Sequence, residues 1–186
     1  MRVLICPDKF AGTASAPEAA AAIADGWREV ADGDELTVLP LADGGPGMLD
    51  ALEAALGGER VAIDVFDPLG RKVTGEFLRL GEIAYIESAQ ACGLHLLDAE
   101  ERDPLRANSF GLGQLMLAAT ERGARCLVIG LGGSATNDGG AGMLTALGMS
   151  ARDAAGRVVG YGGAALAACH SVDGTPLLRR ARLVAA

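Results

Sequence analysis

Cys126-Leu127-Val128-Ile129-Gly130-Leu131-Gly132-Gly133-Ser134-Ala135-Thr136-Asn137-Asp138-Gly139-Gly140-Ala141-Gly142 carries an apolar, strand-like run through a glycine-rich loop into an amphipathic helix. Glycine tolerates positive φ and lets bare backbone amides approach an anion, while the helix that follows turns its positive end toward the same place. Ser134, Thr136, Asn137 and Asp138 crowd polar side chains into the loop, more than a strand-to-helix turn of about two to six residues needs. The loop therefore reads as a phosphate cradle, with a tight turn that binds nothing as the plainer alternative. Gly130, Gly132 and Ala135 also satisfy the loose G-x-G-x-x-A pattern of a dinucleotide fold. That fold wants an acid roughly 20 positions on, at a strand end. The nearest candidate, Asp153, lies in Ser150-Ala151-Arg152-Asp153-Ala154-Ala155-Gly156, which reads as a loop.

Outward from this stretch the chain alternates between strands and helices. Arg2–Cys6 reads as a buried strand emptying into Pro7-Asp8, and Ser15-Ala16-Pro17-Glu18 forms a capping box before an alanine-rich helix to about Val30. A strand over Leu36–Leu41 leads into Ala42-Asp43-Gly44-Gly45-Pro46-Gly47 and a helix over Met48–Leu56. Strands at Val61–Phe66, Val73–Leu80 and Ile83–Glu87 have connections too short for a crossover helix, so the middle ones are expected to be antiparallel. A helix over Ser109–Arg122, the strand over 126–130, a helix through Leu147, another near Ala164–Ala168 and a last run, Arg182–Ala186, complete the pattern. Such alternation predicts a largely parallel sheet covered on both faces, with ligands at the C-terminal ends of its strands.

The composition, half apolar and with a net charge of −8, describes a soluble globular chain and argues against nucleic-acid or anionic-membrane partners, which need clustered lysine and arginine. No uncharged apolar run approaches the roughly 18 residues that cross a bilayer. Cys6, Cys92, Cys126 and Cys169 are irregularly spaced, with no C-x-x-C and no secretory leader, and read as reduced residues of a cytoplasmic protein. Cys92 with His95 and Cys169 with His170 are isolated pairs, too few for a zinc site.

Three loops at strand ends each carry an aspartate: Asp8, Asp43 and Asp138. Carboxylates there suit Mg²⁺, which one or two of them hold together with phosphates, or proton acceptance. Lys9 and Lys72 are the only lysines among the basic residues, and Lys9 at a strand mouth suits a phosphate as a compact point charge. Glu87, after an apolar strand, is a ligand or a buried hydrogen-bonded acid. No G-x-x-x-x-G-K-[ST] occurs, which excludes a P-loop enzyme.

Four blocks carry a resemblance: Pro7-Asp8-Lys9-Phe10-x-Gly12; Pro40-Leu41-Ala42-Asp43-Gly44-Gly45; Ile86-Glu87-x-Ala89-Gln90-Ala91-x-Gly93-Leu94; and Ile129 through Met143. In order and spacing they resemble the bacterial glycerate kinase family over essentially the whole chain. Ala11 takes the place of a lysine common in the family's first block, and Pro46 and Met48 replace a glutamate and a threonine of its second. The resemblance implies an α/β protein of two lobes, one nuclease-like, with a flavodoxin-like parallel-sheet lobe inserted in it. We expect residues 1–82 to form part of the first lobe and 83–186 the second. It further implies ATP-dependent, Mg²⁺-dependent phosphorylation of D-glycerate in the cytoplasm, at the 2-hydroxyl rather than the 3-hydroxyl. In that reading Gly44, Gly45, Glu87, Gly132, Gly133, Ser134, Thr136, Asn137, Gly139 and Gly140 bind nucleotide or substrate. Asp43 holds Mg²⁺, Lys9 neutralises transferred charge, and Asp138 or Asp8 accepts the hydroxyl proton. Family members are about twice as long, and the chain stops in the apolar run Val184-Ala185-Ala186, so part of the site is expected to lie beyond it. An NAD(P)-dependent oxidoreductase built on the 130–135 pattern and a non-catalytic ligand-binding domain are the competing readings; a homodimer is left open.

Overall fold

The computed structural model describes residues 1–178 and 181–186. In chain order its elements are β1 (Arg2–Ile5), α1 (Ala16–Val30), β2 (Glu35–Val38), α2 (Met48–Leu56), β3 (Glu59–Phe66), β4 (Lys72–Leu80) and β5 (Ile83–Glu87). They continue with α3 (Ala89–Cys92), α4 (Phe110–Glu121), β6 (Cys126–Gly130), α5 (Ala141–Ala146), β7 (Ser150–Arg152), α6 (Gly163–Leu166), β8 (Ser171–Asp173) and β9 (Arg182–Ala185). The fold is α/β.

Local signals fix several of these elements. Ser15 Oγ accepts from the Glu18 amide at 3.3 Å while the Glu18 carboxylate accepts from the Ser15 amide at 2.8 Å, so the capping box starts α1 where its sequence says. The short links after β3 and β4 make two antiparallel pairs, β3 with β4 and β4 with β5.

The main sheet runs β3-β4-β5-β6-β9, with β5, β6 and β9 mutually parallel, so it is mixed rather than largely parallel. β1 and β2 stand outside it as a separate parallel pair. The division expected at residue 82 falls within the main sheet, because β4 and β5 pair directly from Leu80 against Ile83. Ser150–Arg152, expected as loop, is β7, paired antiparallel with β8. Its three residues are too few to show a period, and the pairing that makes them a strand comes from twenty residues away.

Alternation along the strands divides the core between the two faces of the sheet. Phe77, Ala84, Ile86 and Leu127 pack with Leu112, Leu115 and Met116 of α4, whereas Leu78 and Tyr85 face Met48 and Leu49 of α2. Burying a side chain of this size removes it from water for about 1.5–3 kcal/mol. The sheet is thereby pinned between α4 and α2, and the ends of β5 and β6 open onto the loops that carry the polar residues. Among the cysteines Cys92 alone is buried, and all four are free. No helix among the described residues is long and apolar enough to cross a membrane.

Candidate active site

Two glycine-rich loops meet backbone to backbone at the ends of these strands. Gly132 donates its amide to the Gly44 carbonyl at 3.1 Å, and a Cβ at Gly132 would lie 2.5 Å from the Gly45 Cα. At Gly44, where φ is +79°, a Cβ would also lie 2.7 Å from the Ala186 carbonyl oxygen. A Cβ at Gly133 would meet the Pro46 ring at 2.7 Å, and one at Gly130 would strike the Gly44 carbonyl. Gly44, Gly45, Gly130, Gly132 and Gly133 therefore serve close loop-to-loop packing. The same packing fills the place where a dinucleotide pyrophosphate would approach Gly130 and Gly132.

The loop beyond this contact is tied down by Leu94, which donates to the Gly133 carbonyl at 2.9 Å, and by Ala135, which donates to the Cys92 carbonyl at 2.7 Å. Past it lies a polar cavity of about 420 Å³ lined by Ser88, Ser109, Ser134, Thr136, Asn137, Asp138, Gly139 and Gly140 with apolar neighbours that include Cys92. Asp138 is buried at its base. Its carboxylate accepts from the amides of Ser109 at 2.9 Å, Gly140 at 3.0 Å and Gly142 at 3.0 Å, and from Ser109 Oγ at 2.9 and 3.0 Å. Ser109 Oγ in turn accepts from the Met143 amide. The anion expected at the start of α5 is thus the protein's own aspartate, which ties α5 to the start of α4. The amides of Thr136, Asn137, Asp138 and Gly139, by contrast, donate to no partner among the described residues. Burial pushes the neighbouring Cys92 thiol up to about 12, so it stays protonated at the cavity wall.

Lys9, Asp8 and Asp43 come together in a second place. Lys9 Nζ lies 3.2 Å from Asp43 Oδ1 and 3.9 Å from Asp8 Oδ1, and Asp8 Oδ1 accepts from the Lys9 amide at 2.6 Å. The Gly45 amide and the Lys9 ammonium hold the Asp43 carboxyl below the usual carboxylate range. Asp43 is well exposed, and its Oδ2 has no partner among the described residues. An ionised carboxylate with one free oxygen fits Mg²⁺, which takes one or two protein carboxylates beside phosphate and water. No cluster of three or more His, Cys, Asp or Glu side chains forms an all-protein cage among the described residues. Pro46, which packs on Gly133, lines the cavity that holds Lys9, so the cluster of Lys9, Asp8 and Asp43 and the polar cavity lie on either side of one loop contact.

Glu87 holds the end of the Asp43 loop. Buried at the end of β5, it accepts from the Gly47 amide at 3.0 Å and the Leu49 amide at 3.5 Å, capping α2 from the sheet face that α2 covers. Burial pushes its carboxyl above the usual range, against the pull of those two amides and of Gln90. Ser88 and Ser109 went unnoticed in the sequence: Ser109 sits at a helix start, a cap signal, but only the fold brings it to Asp138.

A model of the glycerate kinase family matches residues 3–186. The chain belongs to this family. Among its relatives, glycerate 2-kinase of Escherichia coli is 45% identical over 175 residues, covering 93% of this chain and 46% of that one. Glycerate kinase of Bacillus subtilis is 44% identical over 186 residues, 99% of this chain and 49% of the relative. A crystal structure of a Salmonella typhimurium LT2 protein assigned as glycerate kinase 2 superposes with a TM-score of 0.86 at 41% identity, over 100% of this chain and 52% of that one. The chain spans about half the length of the glycerate kinases it matches.

Proposed function

We propose that the protein takes part in ATP-dependent phosphorylation of D-glycerate in the cytoplasm, at the 2-hydroxyl, the position named for the Escherichia coli relative. The observation that carries this reading is the run of unpartnered amides over Thr136–Gly139 at the mouth of a polar cavity. Phosphoryl transfer spreads negative charge over the transferred oxygens, and preorganised donors stabilise that charge without reorganising. The amides of 136–139, with the Ser134 and Thr136 hydroxyls and Asn137, hold the nucleotide phosphates. Lys9 neutralises charge from across the Pro46–Gly133 contact.

Asp138 orients this loop rather than taking the proton, because Ser109, Gly140 and Gly142 already occupy both of its oxygens. Proton acceptance falls to Asp8, which is exposed and engages one oxygen only, with the amide and the ammonium of Lys9. Mg²⁺, when bound at Asp43, supplies charge neutralisation on the phosphates. The two-lobed arrangement belongs to the same reading.

The test is ADP release with D-glycerate, ATP and Mg²⁺, on this chain and on its gene read through to the natural stop codon, with enolase coupling to identify 2-phosphoglycerate. Glycerate-dependent ADP release and an enolase-competent product are expected from the read-through protein. Silence from it overturns the reading, and an enolase-silent product moves the phosphate to the 3-hydroxyl.

A further inference from the structure

The chain holds four phenylalanines, two tyrosines and one tryptophan, and three of these line one small cavity beside the polar one. Phe66, at the end of β3, lies 6.1 Å from Phe110 between ring centroids, and Phe110 meets Tyr161 edge-on at 5.7 Å. Asn108 and Gly70 complete the lining of a cavity of about 210 Å³. A whole small-molecule site runs to about 300–1,000 Å³, so this volume suits one flat part of a ligand.

Its polar edge is specific. Asn108 is 9% exposed, and its amide donates one hydrogen to the Pro68 carbonyl at 2.9 Å and accepts one, from Phe110, at 3.0 Å. One donor and one lone pair remain, the pairing that a carboxamide offers to the edge of a purine. Tyr161 is 55% exposed, an open aromatic face that the core does not need. Two residues on, a Cβ at Gly163 would lie 2.8 Å from the backbone oxygens of Asn137 and Pro104, so the backbone after Tyr161 packs closely on both.

The two cavities share their walls. Asn108 and Phe110 line the aromatic one while Ser109, between them, lines the polar one, and Gly163 abuts Asn137 of the amide run. We propose that Phe66, Phe110, Tyr161 and Asn108 form a purine subsite, which seats the base of the nucleotide whose phosphates lie on Thr136–Gly139. This rests on the kinase reading and goes beyond it by naming where the base binds and what selects it.

Calorimetric titration without Mg²⁺ of ADP and of inorganic tripolyphosphate into wild type, Tyr161→Ala and Tyr161→Phe tests it, on the read-through protein used for the ADP-release assay. Base stacking on an aromatic side chain predicts about tenfold weaker ADP binding in Tyr161→Ala, tripolyphosphate unchanged and Tyr161→Phe near wild type. Unchanged ADP affinity in Tyr161→Ala overturns the subsite, as does an equal loss for both probes; neither touches the kinase reading if ADP release persists. Wild type that binds neither probe, with no ADP release, overturns both.

Discussion

The loops after β2 and β6 both carry an aspartate among glycines, yet they use it in opposite ways. Asp138 is buried and accepts from four separate donors, three backbone amides and a hydroxyl. Asp43 is exposed, holds the Gly45 amide and Lys9 on one oxygen, and keeps the other free. A saturated carboxylate builds the loop; a half-free one is available for a cation or a phosphate partner. Sequence type alone does not separate the two, and burial does.

The sharpest break of this contrast is Asp138→Asn. Whichever oxygen becomes the amide nitrogen, at least one backbone N–H among Ser109, Gly140 and Gly142 faces a donor in place of an acceptor. A lost charge-assisted bond with a buried unsatisfied donor costs about 3 kcal/mol, read as a lowered urea midpoint. Wild-type stability with a hundredfold loss of turnover would return Asp138 to the chemistry as a proton acceptor.

Glu87→Gln probes a buried acid between these extremes. Burial raises its folded pKa above the ordinary 4.5, so its contribution to stability is present below that value and fades as pH rises through the raised one. Glutamine keeps an oxygen for the Gly47 and Leu49 amides and carries no charge to desolvate. Urea midpoints between pH 4 and 8 are expected to favour the variant increasingly as pH rises above 4.5, by about 1 kcal/mol at most. A gap opening the other way would show that the ionised carboxylate is what α2's start requires.

What the sequence made legible was local. The capping box of α1, the short links that force antiparallel pairs and the strand of 126–130 each depend on residues a few positions apart. What it hid depends on distance along the chain. Gly130 and Gly132 match a nucleotide-binding pattern, but the contact that requires glycine there is with Gly44 and Gly45, more than eighty residues earlier. Asp138 stands visibly before a helix, yet its donors at Ser109 become visible only when α4 and α5 pack. The separation of β1 and β2 from the main sheet is likewise a matter of which strands find each other, to which apolar runs are blind.

The smallest expected effect on stability falls at the exposed end of the comparison. Lys9→Ala removes a solvent-screened pair, worth about 0.2–1 kcal/mol, and the urea midpoint is expected to move little. Asp43 should titrate closer to the ordinary 3.8 once the ammonium is gone, yet stay below it, because the Gly45 amide still donates to Oδ1. Its carboxyl carbon shift, followed by NMR from pH 2 to 6, measures this. ADP release by the read-through protein should fall about a hundredfold, the usual cost of losing one donor aimed at developing charge. That split, small in stability and large in rate, is the reverse of the one expected at Asp138. Were Lys9→Ala to unfold the protein as readily as Asp138→Asn, the Asp43 loop would be architecture as well. The free oxygen of Asp43 would then carry no argument for a cation.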